Sequence, residues 1–185
     1  MPRFAPFPGI RYANDDLELV TAPPYDVVDA EQRASLAAQH EHNVVHIDIP
    51  IGGEDPYGEA GALFERWGVD GVTVTDQPAL YLYRMAFADE AGRSHETLGV
   101  IGALGIEGPE EGDVLPHEHT TLKAASDRLH LLRATAANLS PVWGLSLAPG
   151  LSALLDVEHA TGPGSWRNGG GVKHGLWCVA EGRAI

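Results

Sequence analysis

The chain has one cysteine, two lysines and no basic run. A lone Cys178 excludes an internal disulfide and any metal site built from several thiolates. Its neighbours Leu176, Trp177 and Val179 are apolar, which fits a buried, inert thiol rather than a nucleophile. Lysine is confined to Lys123 and Lys173, and arginine supplies the rest of the 12 cationic side chains. Against these stand 26 acidic residues, for a formal charge of −14. Nucleic acids are held mainly by basic patches that displace counterions, so no nucleic acid is expected as a partner. A small anionic ligand remains admissible, because a few arginines, backbone amides or a metal ion suffice to hold one. No apolar run approaches membrane-spanning length, and the opening Met1-Pro2-Arg3-Phe4 lacks a signal-peptide core. No membrane partner is expected, and the default location is the cytoplasm.

What is present suits one globular domain over residues 1–185. The hydrophobic fraction of 44% is enough for a proper core. Residues 1–24 are proline-rich and read as extended chain laid over a surface, ending in the stiff Pro23-Pro24-Tyr25-Asp26. Asp26 or Asp29 is placed to cap a short helix running to about His40. Asn43 to Ile49 alternates like a strand, and Pro56 to Trp67 has the three- and four-residue apolar spacing of a helix. Ala79–Phe87 and His95–Ile106, separated by Asp89-Glu90-Ala91-Gly92, read as a long hairpin. Val114 and Leu115 start a further strand. From Leu122 to Ala137 the spacing predicts a helix with Leu122, Ala125, Leu129, Leu132 and Ala136 on one apolar face. Ser140–Leu147 reads as a strand, Leu151–Leu155 as a short helix, Ala160–Val172 as a glycine-rich loop, and Gly175–Ala180 as a strand.

Groups able to move protons or hold phosphate concentrate between the Val114-Leu115 strand and the helix from Leu122, in Pro116-His117-Glu118-His119-Thr120-Thr121. Glu118 is the candidate general base, which must lie within hydrogen-bond reach of a substrate hydroxyl; the local pattern taken alone favours a surface or capping role. In an extended segment His117 and His119 share one side. They would begin a metal site only with a further ligand, for which His40, His42 and His46 are the candidates. Asp127 and Arg128 are helix neighbours whose side chains diverge by about 100° and are not expected to pair directly. Arg128 suits either a phosphate or an acidic neighbour. Tyr25 and Asp26 suit a site lip or a capped helix start.

These elements together carry a resemblance. Pro23-Pro24-Tyr25-Asp26-Val27-Val28, Leu115-Pro116-His117-Glu118-His119-Thr120, Asp127-Arg128-Leu129-His130-Leu131-Leu132 and Ala136-Ala137-Asn138-Leu139-Ser140-Pro141-Val142 resemble the family called domain of unknown function 1015. That family is in turn similar to the free-serine kinases of the ParB and sulfiredoxin superfamily. The resemblance implies an α+β fold with a mixed β-sheet and flanking helices. It also implies a small-molecule kinase using ADP or ATP with Mg²⁺. Glu118 would be the catalytic base and His117 its companion in the Pro-His-Glu element, with Tyr25, Asp26, Thr120, Asp127 and Arg128 as substrate-binding residues. The kinases hold nucleotide phosphates with an Asp-Gly-His-His-Arg turn, which this sequence does not contain. On the resemblance the chain corresponds to the N-terminal portion of a longer fold, and its activity alone is expected to be impaired. The alternative expectation is a non-catalytic ligand-binding or regulatory domain.

Overall fold

The structure, a computed structural model, describes residues 3–13, 17–106, 108, 112, 114–115, 121–146, 149–155, 161–167 and 171–180. It is an α+β chain that divides into two compact units. One comprises Met1–Arg11, Thr75–Pro116 and Trp143–Ile185; the other comprises Tyr12–Val74 and His117–Val142. The short strands β1 (Phe4–Ala5) and β2 (Ile10–Tyr12) lie near the start of the chain, and β3 (Thr73–Thr75) pairs with β2.

The first unit is built on the expected hairpin. Strand β4 (Ala79–Ala88) pairs antiparallel with β5 (Ser94–Ile101), from Tyr81 opposite Ile101 to Ala88 opposite Ser94. At its turn the Asp89 carboxylate accepts from the backbone N–H groups of Ala91 and Arg93, and Gly92 takes a φ of 76°. That left-handed conformation suits glycine. The other edge of β4 pairs antiparallel with β8 (Lys173–Ala180), which pairs in turn with β7 (Thr161–Arg167). The sheet order is thus β5-β4-β8-β7, antiparallel throughout rather than mixed as expected. Strand β7 also corrects the expected glycine-rich loop: sheet pairing is made by backbone groups, so a run poor in large side chains can still join the ladder. Leu82, Val179 and Leu155 of α6 (Leu151–Leu155) form the buried core on one face, flanked by Leu98, Val100, Leu151 and Trp177. Strand β1 pairs with β6 (Ala103–Leu104). Two expected strands are not formed: Val114–Leu115 and the described residues 140–146 make no ladder pairing.

The second unit is helical. It contains α1 (Leu17–Val20), α2 (Ala30–Gln39), α3 (Val45–Asp48), α4 (Pro56–Val69) and α5 (Leu122–Thr135). Leu17 and Val20 are buried, so the N-terminal segment supplies core and is not only surface covering. Asp29, not Asp26, caps α2. Its carboxylate accepts from the Gln32 N–H at 2.8 Å while the Gln32 side chain accepts from the Asp29 N–H at 3.0 Å. This reciprocal pair satisfies two amides that a helix start leaves without partners.

The expected strand at Asn43–Ile49 is instead the short helix α3. Asn43 is fully buried; its side chain accepts from the Val45 N–H and donates to the carbonyls of Leu19 and Thr21. Those local bonds offer the backbone a turn in place of a ladder. Helix α4 follows the sequence reading, with Asp55 accepting from the Gly58 N–H and Pro56 opening the first turn.

Ala60 and Trp67 of α4, Ile47 of α3 and Leu131 of α5 form the core of this unit. The buried side of α5 differs from the expected one. Leu131 is 2% exposed, whereas Leu129 and Leu132 are 42% and 39% exposed. Leu129 and Leu132 face outward, while Asp127 and Arg128 have partners on the inward side.

Helices α4 and α5 approach closely at Gly61. A Cβ there would lie 2.4 Å from the Ala134 carbonyl oxygen, a backbone atom that cannot swing aside. Gly61→Ala is therefore expected to destabilise the protein by about 1–3 kcal/mol, the usual range for overpacking. Urea denaturation checks this; an unchanged or raised midpoint contradicts the close approach.

Candidate functional site

The site residues that the structure describes gather in the helical unit, around the Arg128 guanidinium. Its Nε and Nη2 donate to Asp127 Oδ2 at 2.9 and 2.7 Å. Its Nη1 donates to Asp48 Oδ1 at 2.7 Å, and Nη2 also donates to the Asp48 carbonyl at 2.8 Å. The guanidinium carbon lies 3.9 Å from the centre of the Tyr25 ring, in cation–π geometry. Asp127 and Arg128 therefore pair after all. Helical divergence separates their Cβ directions, but the long arginine stem folds back far enough for two nitrogens to reach one carboxylate oxygen.

Each partner is held in place. Asp48 ends α3, and the next residue, Ile49, offers its carbonyl to Arg33 Nε of α2 at 2.8 Å. Tyr57, in the first turn of α4, donates its hydroxyl to Asp127 Oδ1 at 2.7 Å. The His130 ring lies 5.3 Å from the Tyr57 ring. Tyr25 sits in the Pro24–Val27 turn, closed by the Val27 N–H on the Pro24 carbonyl. Asp26 is exposed in the same turn.

Two carboxylates thus share one cation, and their environments push them apart. Asp48 is 8% exposed; burial raises its pKa, and the Arg128 charge and hydrogen bond only partly oppose that. For Asp127, burial also acts upward, but the Tyr57 hydrogen bond and the contacts with Arg128 outweigh it and leave the group below its ordinary value. The Tyr57 hydroxyl is pushed up, chiefly because it donates to the Asp127 carboxylate.

The sign of the pH effect follows from Asp127. A depressed folded pKa contributes stability above the unfolded value, about 3.9, and loses it as pH falls through the folded one. The melting-temperature gap between wild type and Asp127→Asn is therefore expected to be widest at about pH 5 and above, and to narrow toward pH 3. A gap that stays constant over that range contradicts the assignment.

Pro116, His117, Glu118, His119 and Thr120 lie outside the described residues. Thr121 is described, and its carbonyl accepts from the Ala125 N–H as α5 begins. The other histidines have local contacts. His40 Nδ1 accepts from the His42 N–H, His46 Nε2 lies 3.2 Å from the Ala37 carbonyl, and His42 meets Trp67 edge-on. Among the described residues no group of three or more His, Cys, Asp or Glu is placed to hold a metal ion. Cys178 is half-buried and its thiol is pushed up, first by burial. Asp48 and Tyr57 are site residues that sequence reasoning missed. The one available signal for Asp48 was a lone carboxylate inside the apolar run Val44-Val45-His46-Ile47-Asp48-Ile49, which needs a cation when buried.

A family model described as a protein of unknown function, DUF1015, matches residues 4–185. The chain belongs to the DUF1015 family. No curated protein and no solved structure matches it. In this DUF1015 protein the Pro-Pro-Tyr turn and the Asp-Arg-Leu stretch, about a hundred residues apart in sequence, meet at the Tyr25–Arg128 contact. No helix among the described residues is long and apolar enough to cross a membrane.

Proposed function

We propose that this DUF1015 protein is a kinase acting in the cytoplasm on the hydroxyl of a small molecule such as free serine, with a nucleotide as donor and a ParB/sulfiredoxin-like fold. The observation that supports the reading is the meeting of Tyr25 with Arg128, which joins two of the elements carrying the resemblance in one charged cluster. The third, Pro116-His117-Glu118, leads directly into the helix that bears Arg128.

In the proposed step Glu118 accepts the proton of the acceptor hydroxyl as that oxygen attacks the terminal phosphorus of ADP or ATP. The new O–P bond forms while the bond to the nucleotide's bridging oxygen breaks, and the shortened nucleotide leaves with the electron pair. His117 belongs to the same sequence element, and Tyr25, Asp26, Thr120, Asp127 and Arg128 are the proposed substrate-binding residues. Mg²⁺ on the nucleotide would neutralise phosphate charge. Of the carboxylates in the cluster, Asp48 and Asp127 are engaged by Arg128 and Tyr57.

The sequence lacks the Asp-Gly-His-His-Arg turn, so slow transfer is expected from this chain. Incubating it with ADP or ATP, Mg²⁺ and serine is expected to give phosphoserine detectable by mass spectrometry. No product with either nucleotide, alongside a serine-dependent rise in melting temperature, would replace the kinase reading with that of a non-catalytic ligand-binding domain.

A further inference from the structure

We infer that the β5-β4-β8-β7 sheet carries a binding site for a small aromatic carboxylate, in a cavity that shares no residue with the Arg128 cluster. Side chains two apart in a strand share a face. Leu82, Arg84 and Ala86 of β4 therefore lie on one face, paired in register with Trp177, Gly175 and Lys173 of β8. Glu96 of β5 stands opposite Ala86 on the other side. Helix α6 packs on the Leu82 end of this face, where Leu155 joins Leu82 and Val179 in the core. Further along the same strands, Arg84, Ala86, Glu96, Lys173, Gly175 and Trp177 line a cavity of about 210 Å³.

Residue size shapes the cavity. Gly175 is buried and Ala86 half-buried, and these two small residues make the floor between longer neighbours. The glycine is required, because a Cβ there would lie 2.2 Å from Cη2 of Trp177. The outer edge of the indole thus reaches over the strand as an apolar wall, and packing against the Leu82–Leu155–Val179 core holds it there. An exposed ion pair such as Arg84–Glu96 contributes little to stability and needs no such floor.

Charge and size choose the ligand. Glu96 accepts from Arg84, so their charges cancel. Lys173 makes no ion pair among the described residues, which leaves the cavity one positive charge. In a chain of formal charge −14, a local cation is what admits an anion. Sites for drug-sized ligands run to about 300–1,000 Å³, so this smaller space suits a single ring rather than a nucleotide. A ring against Trp177 and a carboxylate on the Lys173 ammonium use both features. An inorganic anion would leave the indole without a role.

The probe is benzoate, titrated into the full chain while the Trp177 indole N–H resonance is followed. That resonance is identified by its loss in Trp177→Phe. A saturable shift is expected with benzoate, and none with benzamide, which lacks the charge, or with acetate, which lacks the ring. Lys173→Gln is expected to weaken benzoate binding by at least about tenfold, as loss of a hydrogen bond to a charged group does. Ala86→Leu raises the floor and is expected to abolish the shift. Lys173 is exposed, so its substitution leaves the fold intact and keeps the test decisive if Ala86→Leu misfolds. The absence of a saturable shift with benzoate overturns the proposal. An equal response to benzamide or acetate, or undiminished affinity in Lys173→Gln, overturns it as well. The measurement needs no turnover, so its outcome is independent of the kinase reading.

Discussion

Arg128→Met is expected to lower the stability of the protein by about 3 kcal/mol. Removing one partner of a buried ion pair typically costs about 3–5 kcal/mol, because the other charge is left desolvated and unpaired. The Asp48 side chain is 11% exposed and that of Arg128 is 23% exposed, so the lower end of that range applies. For a chain of this size each kcal/mol moves the melting temperature by about 2–4 °C. The expected fall is therefore about 6–12 °C, read by circular dichroism.

The companion variant separates this cause from lost packing. Adding Asp48→Asn to Arg128→Met removes the stranded charge, so the double variant is expected to lose less than the sum of the two single losses. A coupling of about 2 kcal/mol lies within the range for residues in one charged network. Strict additivity, or an Arg128→Met melting temperature within roughly 2 °C of wild type, would show that Asp48 does not depend on Arg128.

The elements legible in the sequence are those whose side-chain period matches their burial. Helix α4 was readable because Ala60, Leu63, Phe64 and Trp67 return to one side every three or four residues, and Ala60 and Trp67 are in fact buried. The β4–β5 hairpin was readable from its turn residues and its two apolar runs. Helix α3 was not, because Val45, Ile47 and Ile49 alternate as a strand would, and the deciding group is Asn43, whose partners lie in the chain near α1. Strand β7 was hidden by glycines, which carry no side-chain period at all. The buried side of α5 was misjudged for a related reason: apolar periodicity favours Leu129 and Leu132, while the helix turns inward the two residues with ionic partners. Tyr25, Asp127 and Arg128 were each visible as chemistry-bearing residues. Their meeting with Asp48 and Tyr57 is a tertiary event, set by where α3 and α4 end and begin.

Glu118→Gln is expected to reduce phosphoryl transfer by about 10²–10⁴-fold, the range for removing a general base. The amide keeps the size and much of the hydrogen bonding of the carboxylate but cannot take the hydroxyl proton at neutral pH. The cluster around Arg128 contains no obvious substitute. Asp127 is held below its ordinary pKa by Tyr57 and Arg128 despite its burial, which makes it a weak proton acceptor. Asp48 is buried against the same cation. Stability should be nearly unchanged, in contrast to Arg128→Met, so the two substitutions separate the proposed chemistry from the framework beside it.

The most direct test is the initial rate of phosphoserine formation by wild type and Glu118→Gln, at equal concentration with serine, Mg²⁺ and the preferred nucleotide, after confirming matched melting temperatures. The expected result is slow but measurable transfer by wild type and a loss of at least about a hundredfold in the variant. Equal rates in the two proteins would contradict a mechanism centred on Glu118.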